Sequence, residues 1–308
     1  MIKLFFDTDS EINLELAKEV GIENNAIRFP YTLDDEVYYA DLGQTYDPNW
    51  FFSKLRSGSL PTTSALNGEE FKDYFEPEFK KGNEILYVSF GTNFSATFNM
   101  MDQAITELKA KYPNLKFTRY DTKAISLGTG ILVLQAAKLL NKGKTTQQIV
   151  KKLDEIAPFV NMEFVVDDLM YLKKGGRLTT GKAIMGTILQ MKPIIKLTEA
   201  GKLEPFKSVQ GKTKAVRTIV DDAILNADEN ADSPLFILHG DCLEEVSRYT
   251  AMIKEKRPDL NVIQLDIGPV IGTHCGPGTI GLAYIGRTKK PQGKYLKNYL
   301  FTKNAIVL

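Results

Sequence analysis

Three segments of this sequence concentrate residues able to hold an anion. Thr62-Thr63-Ser64 follows Pro61 in a loop rich in Ser, Thr and Gly, just before a helix expected to begin near Asn67. Such a loop offers hydroxyl donors and backbone N–H groups to an anion. An ordinary turn with a helix cap would use the same residue types. Residues 89–97, SFGTNFSAT, leave a strand and open a helix, the place where ligands collect beyond the carboxyl ends of strands in parallel α/β folds. Asn93 or Ser95 could equally cap that helix. The third segment, IGPVIGTHCGPGT at 267–279, holds four glycines and two prolines around His274, one of only two histidines. A winding path that exposes backbone amides is expected there.

Other chemistries are less well supplied. Neither GxGxxG nor GxxxxGK[ST] fits residues 89–97, and GTGILVL after Leu127 reads as a close approach of helix to strand. A serine nucleophile at Ser64 or Ser95 would have His274 as base, yet neither serine lies in GxSxG. His239, Asp241 and Cys242 lie close together, but the two histidines and two cysteines show no tetrahedral zinc spacing, and His239 at a strand end reads as structural. Lys173, Lys174 and Arg177 surround a glycine turn, which suits either a solvated loop or contact with a phosphorylated partner or ligand.

These segments need elements to position them. Residues 2–6 read as a strand, 12–20 as a helix, and 26–33 and 36–39 as short strands about the acidic turn Asp34-Asp35. A helix over 48–56 has Asp47 as a possible N-cap and Pro48 in its first turn. Asn67 with Glu70 three residues on predicts a capping box. Strands at 84–90 and in LKFTRYDT, each followed by a helix, argue for a mainly parallel sheet covered on both faces. After Phe159 the pattern predicts a strand, a short helix and a glycine turn, then a helix over 182–191 and a hairpin in PIIKLTEAGKLEPFKSVQ. Helices over 212–227 and 243–256 bracket the strand LFILHG, NVIQLDIG adds a strand, and GLAYIG is expected at a sheet edge. The fold class expected is two α/β domains, residues 1–160 with a mainly parallel sheet flanked by helices and 161–308 with a mixed sheet.

Composition bounds the function. At 308 residues and 43% hydrophobic, the chain is long enough for one large or two medium cores. A net charge of +1 supplies no broad field for a phosphate backbone, so no nucleic-acid partner is expected. Two cysteines make at most one bridge, which suits a reducing, cytoplasmic location. The acidic start, with Asp7, Asp9 and Glu11, precedes any apolar stretch of signal-peptide length, and no run of about 18 apolar residues appears. A soluble protein without a transmembrane segment is expected.

Several motifs jointly give the chain a family resemblance: FDTDS at 6–10, PTTS at 61–64, FSAT at 94–97, SLGTG at 126–130, LKKGGR at 172–177 and GPVIGTHCGPG at 268–278. With them the chain resembles, from end to end, the DegV family of bacterial fatty-acid-binding proteins, some of which carry lipid for a separate fatty acid kinase. The resemblance implies two α/β domains with the ligand at their interface, a long-chain fatty acid with its tail in an apolar tunnel. It also implies a carboxylate held by the hydroxyls of Thr63 and Ser95, with Ser64 close by and His274 in the surrounding network. By the same resemblance Arg177 is part of a surface facing the kinase or the incoming phosphate. Ala65 stands where the family often has Gln, Ala96 where it has Gly, and Gly91-Thr92 where a Ser pair is commoner. Tail-lining residues are expected on helices, with Ile184, Ile188, Leu189 and Met191 as candidates that would serve equally well in an ordinary core.

The expectation is therefore a carrier that is not itself an enzyme, with no catalytic residue, metal or cofactor, whose bound acid is converted to an acyl phosphate by an ATP-dependent partner. Transient membrane contact is compatible with such a cargo. Two rivals stand beside it: a serine-dependent acyl transferase or hydrolase, and a lipid storage or sensing protein without a kinase partner.

Overall fold

A computed structural model describes residues 1–177 and 191–291. They belong to two compact units that exchange short segments. Met1–Asp47, Ser57–Ala157 and Gly268–Thr273 form the first, while Pro48–Arg56, Pro158–Ile267 and the chain from His274 onward form the second. Each unit is an α/β domain.

In the first unit, strands β1 (Ile2–Asp7), β2 (Ala26–Ile27), β6 (Glu84–Ser89) and β7 (Phe117–Asp121) make a wholly parallel sheet in the order β2-β1-β6-β7. Leu4, Phe5 and Phe6, and Ile85 to Val88, are buried in succession. Unbroken burial along a strand means that both faces are covered, as crossover helices require. The stretch 26–33 is not one strand: Ala26–Ile27 joins the parallel sheet, and β3 (Pro30–Leu33) turns away to pair antiparallel with β4 (Glu36–Tyr39) and β5 (Thr62–Thr63). Helix α1 (Leu14–Glu19) is capped by Asn13, and α3 (Gly68–Lys80) opens on the full Asn67/Glu70 capping box. Phe71, Phe75 and Phe79 on α3 and Phe98 on α4 (Thr97–Lys111) pack around Phe5, Tyr87 and Phe117. Helix α5 (Leu127–Asn141) is buried from Leu127 to Ala137. Its Gly130 lies so close to the Ser10 carbonyl that a Cβ would overlap it, which accounts for the glycine of GTGILVL. Helix α6 (Thr146–Ile156) completes the unit's run of helices.

The second unit holds helix α2 (Pro48–Arg56) and a six-stranded mixed sheet in the order β10-β9-β8-β13-β11-β12. Its strands are β8 (Val160–Val165), β9 (Met191–Leu197), β10 (Leu203–Gln210), β11 (Leu235–His239), β12 (Val262–Asp266) and β13 (Ile280–Ile285). β9 and β10 form the expected hairpin, and α8 (Lys212–Asn226) and α9 (Leu243–Lys256) bracket β11 in sequence. The core gathers Val216, Ile219 and Val220 of α8 against Ile237, Val246, Ile253, Ile280 and Leu282.

Three local expectations are corrected. GLAYIG is not an edge strand: β13 pairs with β8 on one side and β11 on the other, and Gly281 leaves room for the Phe164 side chain, its Cβ position 3.3 Å away. Met191 does not end a helix but begins β9, where it is half-buried opposite Gln210. Ile184, Ile188 and Leu189 lie outside the described residues. Residues 269–275 do not wind irregularly either. They form helix α10 (Pro269–Cys275), which starts on a proline, as the first helical turn tolerates. Only beyond it does the chain turn through left-handed glycines, at Gly276 and Gly278.

Candidate functional site

The first unit brings its two hydroxyl loops side by side. Thr63 closes the two-residue strand β5, pairs with Tyr31 and is half-buried, and Ser64 beside it is exposed. Ser95 follows a 3-10 turn (Thr92–Phe94) in extended conformation and is half-buried. Its Oγ accepts a hydrogen bond from the Thr97 amide (3.2 Å), a bond that does not use the hydroxyl hydrogen. The side chain of Thr97, buried at the start of α4, then ties the loops together. Its Oγ1 accepts from the Leu66 amide (3.2 Å) and donates to the Leu66 carbonyl (3.3 Å). The strand end carrying Thr63 and Ser64 is thus hydrogen-bonded, three residues on, to the turn carrying Ser95. Ala96 is the N-cap of α4 with φ −80, a conformation that needs no glycine.

Behind the Ser95 turn lies a polar brace. Arg119 on β7 donates from Nε to Ser89 Oγ and from Nη2 to Thr92 Oγ1, each at 2.8 Å, with its guanidinium 3.5 Å over the Phe98 ring. Thr92 donates to Asp121 Oδ2 (2.7 Å). Gly91 allows the backbone to pass close to Lys123, its Cβ position 3.0 Å from the Lys123 Cα. On the other side Asp7, fully buried at the end of β1, accepts from the Phe90 amide (2.9 Å) and from the Tyr87 hydroxyl (3.4 Å). Burial pushes the Asp7 carboxyl up to about 7, outweighing those hydrogen bonds and the Arg119 charge.

The second unit joins the other two motifs. Helix α7 (Leu169–Gly175) ends in a left-handed Gly176 (φ 66), the usual chemistry of a helix C-terminus. The His274 ring packs on Gly175, where any Cβ would overlap Nδ1. A Cβ on Gly276 would likewise overlap the Tyr171 ring, so LKKGGR and GPVIGTHCGPG lean on each other through glycines. Burial, helped by the Arg177 charge, lowers His274 to about 4, so at neutral pH it is an uncharged imidazole. Arg177 is exposed and donates to the Gly175 carbonyl.

The remaining candidates read as structural. His239 ends β11, buried, with Nδ1 3.4 Å from Asp266 Oδ1, and burial lowers its pKa. Burial pushes the Cys242 thiol up to about 11, and neither Cys242 nor Cys275 is in a disulfide. Among the described residues no group of three or more His, Cys, Asp or Glu is placed to hold a metal. Thr97, Asp7 and Arg119 are the residues that sequence reasoning left without a role. FDTDS and FSAT marked the first two, while nothing in FTRYD marked Arg119.

A parallel α/β unit with paired hydroxyl loops beyond its strands, followed by a mixed-sheet unit, defines a class of two-domain protein already seen in solved structures. Residues 1–287 match the family described as uncharacterised protein, DegV family, and the chain belongs to it. A DegV domain-containing protein of Clostridium perfringens is 33% identical over 294 residues, 94% of this chain and 100% of that one. A fatty-acid-binding DegV family protein from Thermus thermophilus superimposes with a TM-score of 0.78 at 26% identity, covering 92% of this chain and 99% of its own. DegV from Bacillus subtilis, described as a fatty acid binding protein, gives the same TM-score and identity, with 92% and 98% covered.

Proposed function

We propose that this chain binds a long-chain fatty acid, its carboxylate held by the hydroxyls of Thr63 and Ser95, with Ser64 beside them and the neutral His274 orienting the network. The tail lies in an apolar tunnel. The observation that supports this reading is the Thr97 junction, whose hydrogen bonds tie Leu66, three residues after Thr63, to the first residue of the helix that follows Ser95, while the Thr97 amide donates to Ser95 Oγ. A hydroxyl that accepts from a backbone amide still has its hydrogen to donate, and a carboxylate accepts such hydrogens. The fatty-acid-binding relatives from Thermus thermophilus and Bacillus subtilis support the same ligand class. Each buried methylene contributes roughly 0.8 kcal/mol, so the tail of an acid of about sixteen carbons supplies ~12 kcal/mol before ordering costs. Hydroxyls without a permanent counter-charge leave the head exchangeable.

In this reading the protein is a cytoplasmic carrier, not an enzyme, and needs no cofactor. A separate ATP-dependent fatty acid kinase phosphorylates the presented carboxylate, and the exposed Arg177 faces that partner or the incoming phosphate. Mass spectrometry of the denatured, freshly purified protein tests the ligand class: a stoichiometric long-chain acid is expected, and its absence from protein expressed in acid-replete cells counts against the reading. A Thr63→Ala, Ser95→Ala double variant should fold normally and lose about tenfold or more in acid affinity, the worth of one charge-assisted hydrogen bond or more. Unchanged affinity rejects those two assignments. With kinase and ATP supplied, Arg177→Glu should slow acyl phosphate formation while leaving acid retention intact.

A further inference from the structure

We infer that segment 7–11, the DTDSE run at the carboxyl end of β1, is the positioning element of the head-group loops, an inference that rests on the reading proposed above. Within five residues, three side-chain oxygens accept from backbone amides far away in sequence. Asp7 Oδ2 takes the Phe90 N–H (2.9 Å), where the chain leaves β6 five residues before Ser95. Thr8 Oγ1 takes the Phe29 N–H (3.1 Å), one residue before β3, the strand that pairs with Thr63. Glu11 Oε2 takes the Gly268 N–H (2.7 Å), just ahead of the helix whose last turn carries His274. Gly268 leaves room for that carboxylate, its Cβ position 3.3 Å from Oε2.

The segment is itself clamped. Gly130 of α5 sits against the Ser10 carbonyl with no space for a side chain, and Glu11 is held in the left-handed region at φ 59, unusual for a residue with a long side chain. Asp7, Thr8, Asp9, Ser10 and Glu11 are all buried. Burying acids in this way works against folding, since a carboxylate loses its hydration there and Asp7 Oδ1 has no hydrogen-bond partner. An apolar plug would fill the space at lower cost. What the polar segment adds is direction: each accepting oxygen fixes one amide, and with it the loop that presents a head-group residue. Positioning of this kind matters because a site's selectivity falls quickly when its donors drift.

The test measures head-group discrimination rather than binding alone. Delipidated full-length protein is titrated with palmitate and with hexadecanol, which has the same tail and no carboxylate. Asp7→Ala and Glu11→Ala should each lower palmitate affinity about tenfold while changing hexadecanol affinity less than about twofold. Asp7→Asn and Glu11→Gln keep an accepting carbonyl oxygen and should recover most of the loss. If Asp7→Ala does not fold, Thr8→Val and Glu11→Ala provide the same readout. Equal losses for acid and alcohol, or folded variants that discriminate as well as wild type, overturn the inference. A wild-type protein that prefers neither ligand instead overturns the underlying fatty acid reading, so the two failures are distinguishable.

Discussion

At the scale of single residues, burial sets protonation in opposite senses at His274 and Asp7. The imidazole is lowered to about 4, below its ordinary 6.5, so its contribution to stability is whole above pH 6.5 and is lost as pH falls toward 4. The Asp7 carboxyl is raised to about 7 from 3.8, so the folded state holds its proton more tightly than the unfolded chain does. Stability from Asp7 is therefore whole below about pH 4 and declines as pH rises through about 7. An Asp7→Asn variant does not titrate. Relative to wild type it should gain on the order of a few kcal/mol between pH 4 and pH 8, read from denaturant unfolding at the two pH values. A difference that stays constant across that range would show that Asp7 is already ionised in the folded protein. Glu163, buried beside Lys196 at 3.0 Å, is also pushed up to about 7 by burial and titrates in the same window in both proteins, so it drops out of the comparison.

At the scale of elements, glycines decide which helices and turns can touch. The short helix α7 ends where it does because Gly176 accepts a left-handed φ, and the preceding Gly175 gives the His274 ring a flat surface. Gly175→Ala should displace that ring and destabilise the protein by about 1–3 kcal/mol, the usual range for overpacking. In a His274→Ala background the same change should be nearly neutral, giving a coupling energy of similar size in a double-mutant cycle. Additive effects would mean that the Gly175 requirement comes from its own backbone. The hydroxyl loops of the first unit obey a different rule. There Thr97 joins two elements by hydrogen bonds to Leu66, so its contribution is directional where that of Gly175 is steric.

For the whole molecule, the match to the DegV family over residues 1–287 takes in both α/β units. Among the described residues no helix is long and apolar enough to cross a membrane. On the proposed function, an acid that binds only the folded chain must add to its stability. At a free acid concentration a hundredfold above the dissociation constant, the gain is about 2.7 kcal/mol. Delipidated protein should thus unfold several degrees higher on addition of a C16 or C18 acid, and less so with a C8 acid, whose shorter tail buries fewer methylenes. A C8 acid as effective as C16 at equal concentration would argue against an apolar tunnel.

The amino-acid sequence by itself determined what depends on neighbours along the chain. Unbroken apolar runs specified β1 and β6, the Asn67/Glu70 spacing specified a capping box, and Gly and Pro placed the breaks between elements. It also singled out Thr63, Ser64, Ser95 and His274 as chemically distinctive. Tertiary structure alone decided relations that no local pattern encodes. GLAYIG became an interior strand because partners more than a hundred residues earlier and some forty residues earlier close on both sides of it. Met191 joined a strand because the hairpin register with Gln210 outweighed a helical period. Arg119 entered the brace behind Ser95 because parallel strands β6 and β7 end side by side. The physical reason is the same in each case: propensity and capping act over a few residues, whereas burial and long-range hydrogen bonds depend on which surfaces folding brings together.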